Sequence, residues 1–416
     1  MESKTIFETN TAYNRRPHAP AEPRPVCATD PENGPSIVFF SGGSALRGLS
    51  RELITCTHNS IHIVTPFDSG GSSAVLRKAF DMPAVGDIRN RLIALADRRG
   101  QWSPRVRALL ALRLPKNKSN GQRLALLRDM AAGTHPLVKT LPGTVRQTIA
   151  GLLSDFTRKM PPDFDLAGAS IGNLVLAAGY LSGNRSMAHA LAAFSELASV
   201  KGTVRPVADC SLQLGAVLEN GRVVVGQHRI TGKQIAPIES PVKELFLCRD
   251  ETDPAPVDVP VDPDVRRLLG KADMVVYPMG SFYSSLVCNL LVRGVGEAIS
   301  RLQCPRVYVP NTAADPETPD MDVADQAAVL LSALKKDIPG GAAPENLLNG
   351  ILVDRKNGSY PGGIDERRIR EMGIELIDHP LVTRRSTPLI DEKRLTPALL
   401  SLAGGSEYCP RRADGG

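Results

Sequence analysis

The chain reads as an α/β protein: a Rossmann-like, doubly wound, mainly parallel sheet carrying a β hairpin and a helical insertion. Three observations predict this. Short buried-type runs, Ile37-Val38-Phe39-Phe40 and Ile61-His62-Ile63-Val64, each lead into a glycine- and serine-rich loop and then a helical stretch, the alternation of a doubly wound sheet. The composition is 42% hydrophobic but only 4% aromatic, so Val, Leu, Ile and Ala must fill the interior, as suits a parallel sheet covered by helices. At 416 residues the chain can bury a large core.

Taken in order, residues 1–35 are rich in Pro, Glu, Arg and Asn and read as a disordered tail. Residues 36–402 read as one domain. Its first strand leads through Ser41-Gly42-Gly43-Ser44 to a helix over 45–53. The second leads through Asp68-Ser69-Gly70-Gly71-Ser72-Ser73 to a helix over 74–80. Asp87 reads as the N-cap of a helix over 88–96. Residues 98–160 contain no convincing strand; helices over 105–114, 122–130 and 145–159, separated by Pro- and Gly-bearing breaks, make them a helical insertion. Ser170-Ile171-Gly172-Asn173 opens an apolar helix to 181, and another helix lies near 187–198. Asn220-Gly221 is the favoured two-residue turn of a hairpin over 212–218 and 222–228. Strands over 272–277, 306–310, 350–353 and 374–377 complete the sheet, and the first of these delivers Gly280 to Ser285 to a helix. Residues 403–416 read as a loose tail.

Charge and cysteine usage narrow the function classes. Net charge is +6, and the span from Arg98 to Arg128 holds nine Lys/Arg and no acid. That run reads as a solvated helix face; with only Trp102 interleaved it lacks the stacking platforms of a nucleic-acid binder. Seven scattered cysteines without a C-x-x-C pair argue against a disulfide framework or zinc cage and fit a reducing compartment. No apolar run reaches the roughly 18 residues of a membrane span, and the N-terminus has no signal-peptide core. A cytoplasmic protein without a membrane partner is expected.

The chemistry is expected in the loops. A strand, a glycine and a helix start present backbone N–H groups at a positive helix end, a seat for phosphate. One such loop proves little, since any α/β turn uses glycine. Three of them, at Gly42-Gly43-Ser44, Gly70-Gly71-Ser72-Ser73 and Gly280-Ser281 through Ser285, can converge on one crevice along the strand ends. None has the spacing of G-x-x-x-x-G-K-[ST] or G-x-G-x-x-G, which argues against an ordinary kinase, GTPase or NAD dehydrogenase. Asp68 is either a loop cap or a group that holds Mg²⁺ or takes a proton from an attacking hydroxyl. The acids Asp315, Glu317, Asp320, Asp322 and Asp325 lack calcium-loop spacing and read as a capped surface loop. Gly168-Ala169-Ser170-Ile171-Gly172 fits the G-x-S-x-G hydrolase elbow, with Asp209 and His228 or His379 following, but residues 160–167 make a poor strand to precede it.

Ser41-Gly-Gly-Ser-Ala-Leu46, Asp68-Ser-Gly-Gly-Ser-Ser73, Gly86-Asp-Ile-Arg-Asn90, Ser170-Ile-Gly-Asn-Leu174 and Gly280-Ser-Phe-Tyr-Ser-Ser285 together resemble the YvcK/CofD superfamily, over roughly residues 36–330 outside the insertion. The resemblance implies a Rossmann-like core and one of two functions. CofD-type proteins transfer a phospholactyl-type group from a guanosine-diphosphate conjugate to a flavin-like alcohol, with Mg²⁺; YvcK-type proteins bind a UDP-sugar and regulate carbon metabolism and cell-wall synthesis. The expected partner is therefore a nucleoside-diphosphate conjugate or UDP-sugar, with Mg²⁺ as the expected metal and no tightly bound organic cofactor. The oligomeric state stays open, a homodimer included.

Carried over by position, the resemblance implies that Gly42, Gly43 and Ser44 hold phosphate. Ser170, Gly172, Asn173, Gly280, Ser281 and Tyr283 would line the nucleotide pocket. Asp68 would face the acceptor or second ligand, together with Gly70, Gly71, Ser72, Ser73, Asp87 and Arg89. The pattern is broken at Pro278-Met279, Cys288 and Phe67, where the family usually carries glycine-proline, proline and a second acid.

Overall fold

In a computed structural model, residues 30–100, 103–232 and 238–404 are described. Trp102 and most of both predicted tails lie outside those residues. The described chain opens inside the stretch read as a tail: a short turn, Pro31–Asn33, is capped by Asp30 and held from Asn59, whose Nδ2 donates to the carbonyls of Glu32 and Gly34, each at 2.7 Å.

Among the described residues ten strands form two sheets. The larger contains β1 (Ile37–Ser41), β2 (Ile61–Val64), β3 (Thr203–Pro206), β7 (Met274–Tyr277), β8 (Arg306–Tyr308), β9 (Gly350–Val353) and β10 (Glu375–Asp378). Their order is β10-β9-β8-β7-β1-β2-β3, with every neighbour pair parallel. From β1 the chain winds outward to β2 and β3; from β7 it winds the other way to β10. The junction of β1 and β7 is therefore the topological switch point, the place at which open α/β sheets bind ligands.

Alternation along the strands explains the layers. On β1, Val38 and Phe40 face one core with Ile63, Val275 and Tyr277, while Ile37 and Phe39 face the other with Met274, Val276 and Leu352. Both faces are apolar because both are covered, so the strands read as continuous hydrophobic runs. The second face is closed by the helices Arg47–Leu53 and Glu392–Gly404 through Leu49, Leu53, Leu395 and Leu399. Each fully buried side chain of this kind contributes about 1.5–3 kcal/mol.

The predicted insertion is helical: Ser103–Ala111, Asn120–Ala131, Pro136–Lys139 and Gly143–Lys159. Ser119 and Gln122 form a reciprocal capping box on the second helix. The insertion is fastened by three rings, Phe80, Phe156 and Phe164, with centroids 5.5–6.0 Å apart. Its basic run is not one solvated face. Arg123 is buried and donates to the carbonyls of Pro115 and Lys116, Arg105 to Thr140, and Arg113 to Gly168.

The smaller sheet is antiparallel in the order β5 (Val223–Val225), β4 (Gln213–Leu218), β6 (Val242–Cys248). The hairpin turns at Asn220-Gly221 as predicted, but its second strand stops at Val225. Gly226, at φ 104°, breaks the extended run and starts the helical turn Gln227–Ile230. Two strands escaped the sequence reading, β3 and β6. Among the described residues no helix is long and apolar enough to cross a membrane.

Candidate functional site

The loops expected to meet do meet. The β1 loop packs directly on Asp87, at the N-terminus of the helix Gly86–Leu95, and on Ser285, in the segment after β7. A methyl group at Gly42 would lie 2.6 Å from Ser285 Oγ and 3.1 Å from Asp87 Oδ2, and one at Gly43 would lie 2.7 Å from Asp87 Cα. Glycine is required there by close approach rather than by backbone angle. Gly280, at φ 144°, lies against Ala45, so the β1 and β7 loops adjoin across the switch point. The β2 loop joins through Gly86, where a methyl would lie 2.5 Å from Ser73 Oγ and 3.2 Å from Asp68 Oδ2.

Each loop is pinned by side chains from its surroundings. Arg91, wholly buried, donates to the Gly42 carbonyl at 2.8 Å and to the hydroxyls of Ser50 and Ser41 at 2.5 and 3.1 Å. Arg77 donates to the carbonyls of Asp68 and Leu212 at 3.1 and 2.6 Å. Asn173 Nδ2 donates to Ser72 Oγ at 2.8 Å, and the Gly86 N–H to Ser73 Oγ at 3.0 Å. Ser69 Oγ lies 2.7 Å from His228 Nδ1 and accepts the His228 N–H at 3.3 Å; the neighbouring Gln227 donates to the Ser284 carbonyl at 3.0 Å. The helical turn after β5 therefore ties the β2 loop to the β7 loop.

Asp68 is half-buried. Burial pushes its carboxyl above the ordinary aspartate range, against the Gly70 N–H at 3.0 Å, the Ser73 hydroxyl and the charges of Arg77 and His228. It caps its own loop, and its carboxyl is more basic than an ordinary aspartate. Asp87 is not an N-cap: the helix begins at Gly86 with Val85 as cap, and Asp87 stands in the first turn, directed at the glycine loop. The shift follows from Gly86, which lets the turn start two residues earlier while packing on Ser73.

The segment after β7 carries a carboxylate the sequence reading assigned to a surface loop. Asp322 and Asp325 do form a surface capping box. Glu317 is 1% exposed and accepts the N–H groups of Tyr283 and Ser284 at 2.8 and 2.9 Å and the Ser284 hydroxyl; Asp315 accepts the Phe282 N–H at 2.8 Å. Burial, with Asp315 next to it, raises Glu317 to about 7. Those three amides already hold protein carboxyl groups, so this segment offers a ligand fewer N–H groups than its sequence suggested. Asn311 fixes it by accepting the Gly280 N–H at 3.0 Å and donating back to the Gly280 carbonyl at 2.7 Å. Tyr283 is buried, its hydroxyl on the sulfur of Met321 at 3.5 Å.

Ser170, Gly172 and Asn173 are brought to the site's rear wall. All three are buried at the start of the helix Ile171–Ser182; Ser170 accepts from the Arg89 guanidinium, and a methyl at Gly172 would lie 2.5 Å from the Leu110 carbonyl and 2.8 Å from Arg89 Cδ. Ser170 is not a hydrolase nucleophile: no strand precedes it, its hydroxyl is engaged by Arg89, Asp209 accepts from the Met187 N–H, and His228 belongs to Ser69. Ser44 is exposed at the mouth.

Residues 37–382 match the sequence profile of the family described as 2-phospho-L-lactate transferase CofD. The chain belongs to the CofD family. It is 29% identical over 377 residues to the gluconeogenesis factor of Bacillus subtilis (strain 168), covering 88% of this chain and 97% of the relative. Against the gluconeogenesis factor of Halalkalibacterium halodurans it is 27% identical over 364 residues, covering 85% and 92%. The crystal structure of a UPF0052-family protein from Bacillus halodurans superposes with a TM-score of 0.65 at 24% identity, covering 89% of this chain and 99% of that one, and shares the fold. Arg91, Arg77 and Glu317 are the site residues of this CofD-family chain that sequence reasoning missed. For Arg91 a signal exists: Ile88, Arg91, Leu92 and Leu95 lie on one helical stripe, and an arginine in a core-facing slot has to be spent on something.

Proposed function

We propose that this CofD-family protein binds a nucleoside-diphosphate conjugate in the crevice at the β1/β7 switch point, and that binding itself is its output, as in a UDP-sugar-dependent regulator of carbon metabolism and cell-wall synthesis. The observation that supports binding is the direct approach of Gly42 and Gly43 to Ser285 and Asp87 at the switch point, which sets a hydroxyl and a carboxylate against the β1 loop. Two points favour a regulator: the relatives from B. subtilis and H. halodurans are named gluconeogenesis factors, and Phe67 stands where a second acid would join Asp68.

A second reading is group transfer from the conjugate to a hydroxyl acceptor, as the family's description suggests. What favours it is Asp68, a carboxylate made more basic by burial at the crevice edge and suited to taking the acceptor's proton. Mg²⁺ fits this site in the usual manner of that ion, on one carboxylate, Asp68, completed by ligand phosphate oxygens; among the described residues no group of three His, Cys, Asp or Glu offers a fuller cage. When bound, the ion would neutralise charge on the phosphates, while Asp68 orients the hydroxyl and Arg77 and the Gly70 N–H hold Asp68 in place.

Thermal unfolding with GDP, GTP and UDP-sugars, with and without Mg²⁺, tests the binding. At a hundredfold excess over Kd a ligand adds about 2.7 kcal/mol of stability. No shift with any of them removes the proposal. Asp68→Asn then separates the readings: under transfer it keeps affinity and abolishes product, whereas under regulation no product forms with either protein.

A further inference from the structure

We propose that Arg47, Arg89 and Arg113 form a second anion subsite, built to take a phosphate group, beside Asp87. The inference deepens the conjugate-binding reading and rests on it only for the identity of the larger ligand. Arg89 is 5% exposed, and its hydrogen-bond partners are neutral: Ser170 Oγ, and Asn90 Oδ1 at 2.6 Å. Its Nε has no partner among the described residues. Arg113 is exposed and donates to a neutral group too, the Gly168 carbonyl at 3.0 Å. Arg47 is exposed at the start of its helix, directly after the β1 loop. Among the described residues none of the three makes an ion pair.

The three charges feel one another. Burial and the fields of Arg113 and Arg47 pull Arg89 down to about 10, with Asp87 as the one acid opposing them. Arg89 and Arg113 are fastened to one short segment, through Ser170 and Gly168, by hydrogen bonds to uncharged atoms, so their repulsion is not relieved there. A phosphate dianion removes that repulsion, and guanidinium forks match its oxygens. Lys116 lies against the same segment, since a methyl at Gly168 would lie 3.0 Å from its Cε. Arg113 and Lys116 both come from the helical insertion, so the subsite gives that segment a role, which is to close the crevice on the Asp87 side with positive charge.

Calorimetric titration of the full chain with sodium pyrophosphate at low and high salt tests the subsite. The expected result is saturable binding that weakens with salt, and a loss of about tenfold in affinity for each of Arg47→Gln and Arg113→Gln. Both side chains are exposed, so the variants keep the fold, and without ligand at low salt each melts at or above the wild-type temperature. Arg113→Lys, which keeps the charge, recovers part of the loss. Absence of pyrophosphate binding, or affinity unchanged in both glutamine variants, overturns the subsite. Competition between UDP and pyrophosphate assigns the subsite to the conjugate's own phosphates, and additive binding assigns it to a separate phosphorylated ligand; either requires the arginine dependence. If UDP fails to bind while arginine-dependent pyrophosphate binding persists, the nucleotide reading falls and the subsite stands. If UDP binds and the arginines do not matter, the reverse holds.

Discussion

The guanidinium of Arg91 donates to the carbonyl oxygen of Gly42 at 2.8 Å, joining the floor of the crevice to the helix that carries Asp87 and Arg89. One side chain thereby fixes the β1 loop relative to two charged groups of the site. Arg91 is wholly buried, and Asp87 is the acid that supports its charge. Arg91→Leu strips the Gly42 carbonyl and the Ser41 and Ser50 hydroxyls of a charged donor and leaves them unsatisfied. We expect a loss of about 2–4 kcal/mol of stability, read from the urea midpoint, together with weakened ligand binding.

Glu317 predicts a pH dependence of stability. Its folded value of about 7 lies above the ordinary 4.5, because burial and Asp315 disfavour its charge. Between those two values the folded state holds a proton that the unfolded chain has released, so its contribution is complete at low pH and is lost as pH rises through about 7. The full span is worth about 3 kcal/mol. Glu317→Gln cannot titrate; the difference in unfolding free energy between wild type and variant should therefore change by about that amount between a pH below 4.5 and one above 7. A constant difference would show that Glu317 titrates alike in the folded and unfolded chain.

The fold was legible in the sequence because most large-sheet strands that were found carry an apolar run, such as Ile37-Val38-Phe39-Phe40, Met274–Tyr277 and Gly350–Val353, and several lead into a turn with glycine or proline. The strands that escaped lack one of these marks: β3, Thr203–Pro206, is four residues with Arg205 in its middle at the sheet edge, and β6 opens with Lys243 and Glu244 before its buried half. The meeting of the loops was legible from Gly42-Gly43 and Gly280. What holds them was not. Arg91, Arg77 and Asn173 act through partners dozens of residues away, and a buried arginine looks like a surface one in a linear reading. The Glu317 carboxylate was hidden for the opposite reason, since four neighbouring acids made it look like part of a solvated turn.

Asn173 and Ser72 predict a separation of affinity from stability. The Asn173 amide donates to Ser72 Oγ at 2.8 Å across the wall between the helix Ile171–Ser182 and the β2 loop. Ser72→Ala removes one neutral hydrogen bond at a half-buried position, about 1 kcal/mol. The β2 loop then loses a tether while Arg77 still holds the Asp68 carbonyl. Ligand affinity should fall severalfold with a melting temperature only slightly lowered. A large drop in melting temperature at unchanged affinity would make the contact structural alone.

Gly43 gives the sharpest test of the crevice floor. A methyl group there would stand 2.7 Å from Asp87 Cα and closer still to the Asp87 carboxylate. The Asp87 backbone belongs to the first turn of a helix locked by Arg91 and Leu92 in the core, so it cannot swing aside as a flexible side chain would. The β1 loop has to lift instead, which opens the gap to Ser285 and disturbs the Gly42 carbonyl bonded to Arg91. Gly43→Ala should cost about 1–3 kcal/mol of stability and abolish the thermal shift given by the nucleotide conjugate. Gly42→Ala meets mainly the Ser285 hydroxyl, which can rotate away, so it should be milder on both measures, and pairing it with Ser285→Ala should restore most of its loss. Equal damage from Gly42→Ala and Gly43→Ala, with no rescue by Ser285→Ala, would mean that the ligand itself, and not Asp87 and Ser285, fills the space above these glycines.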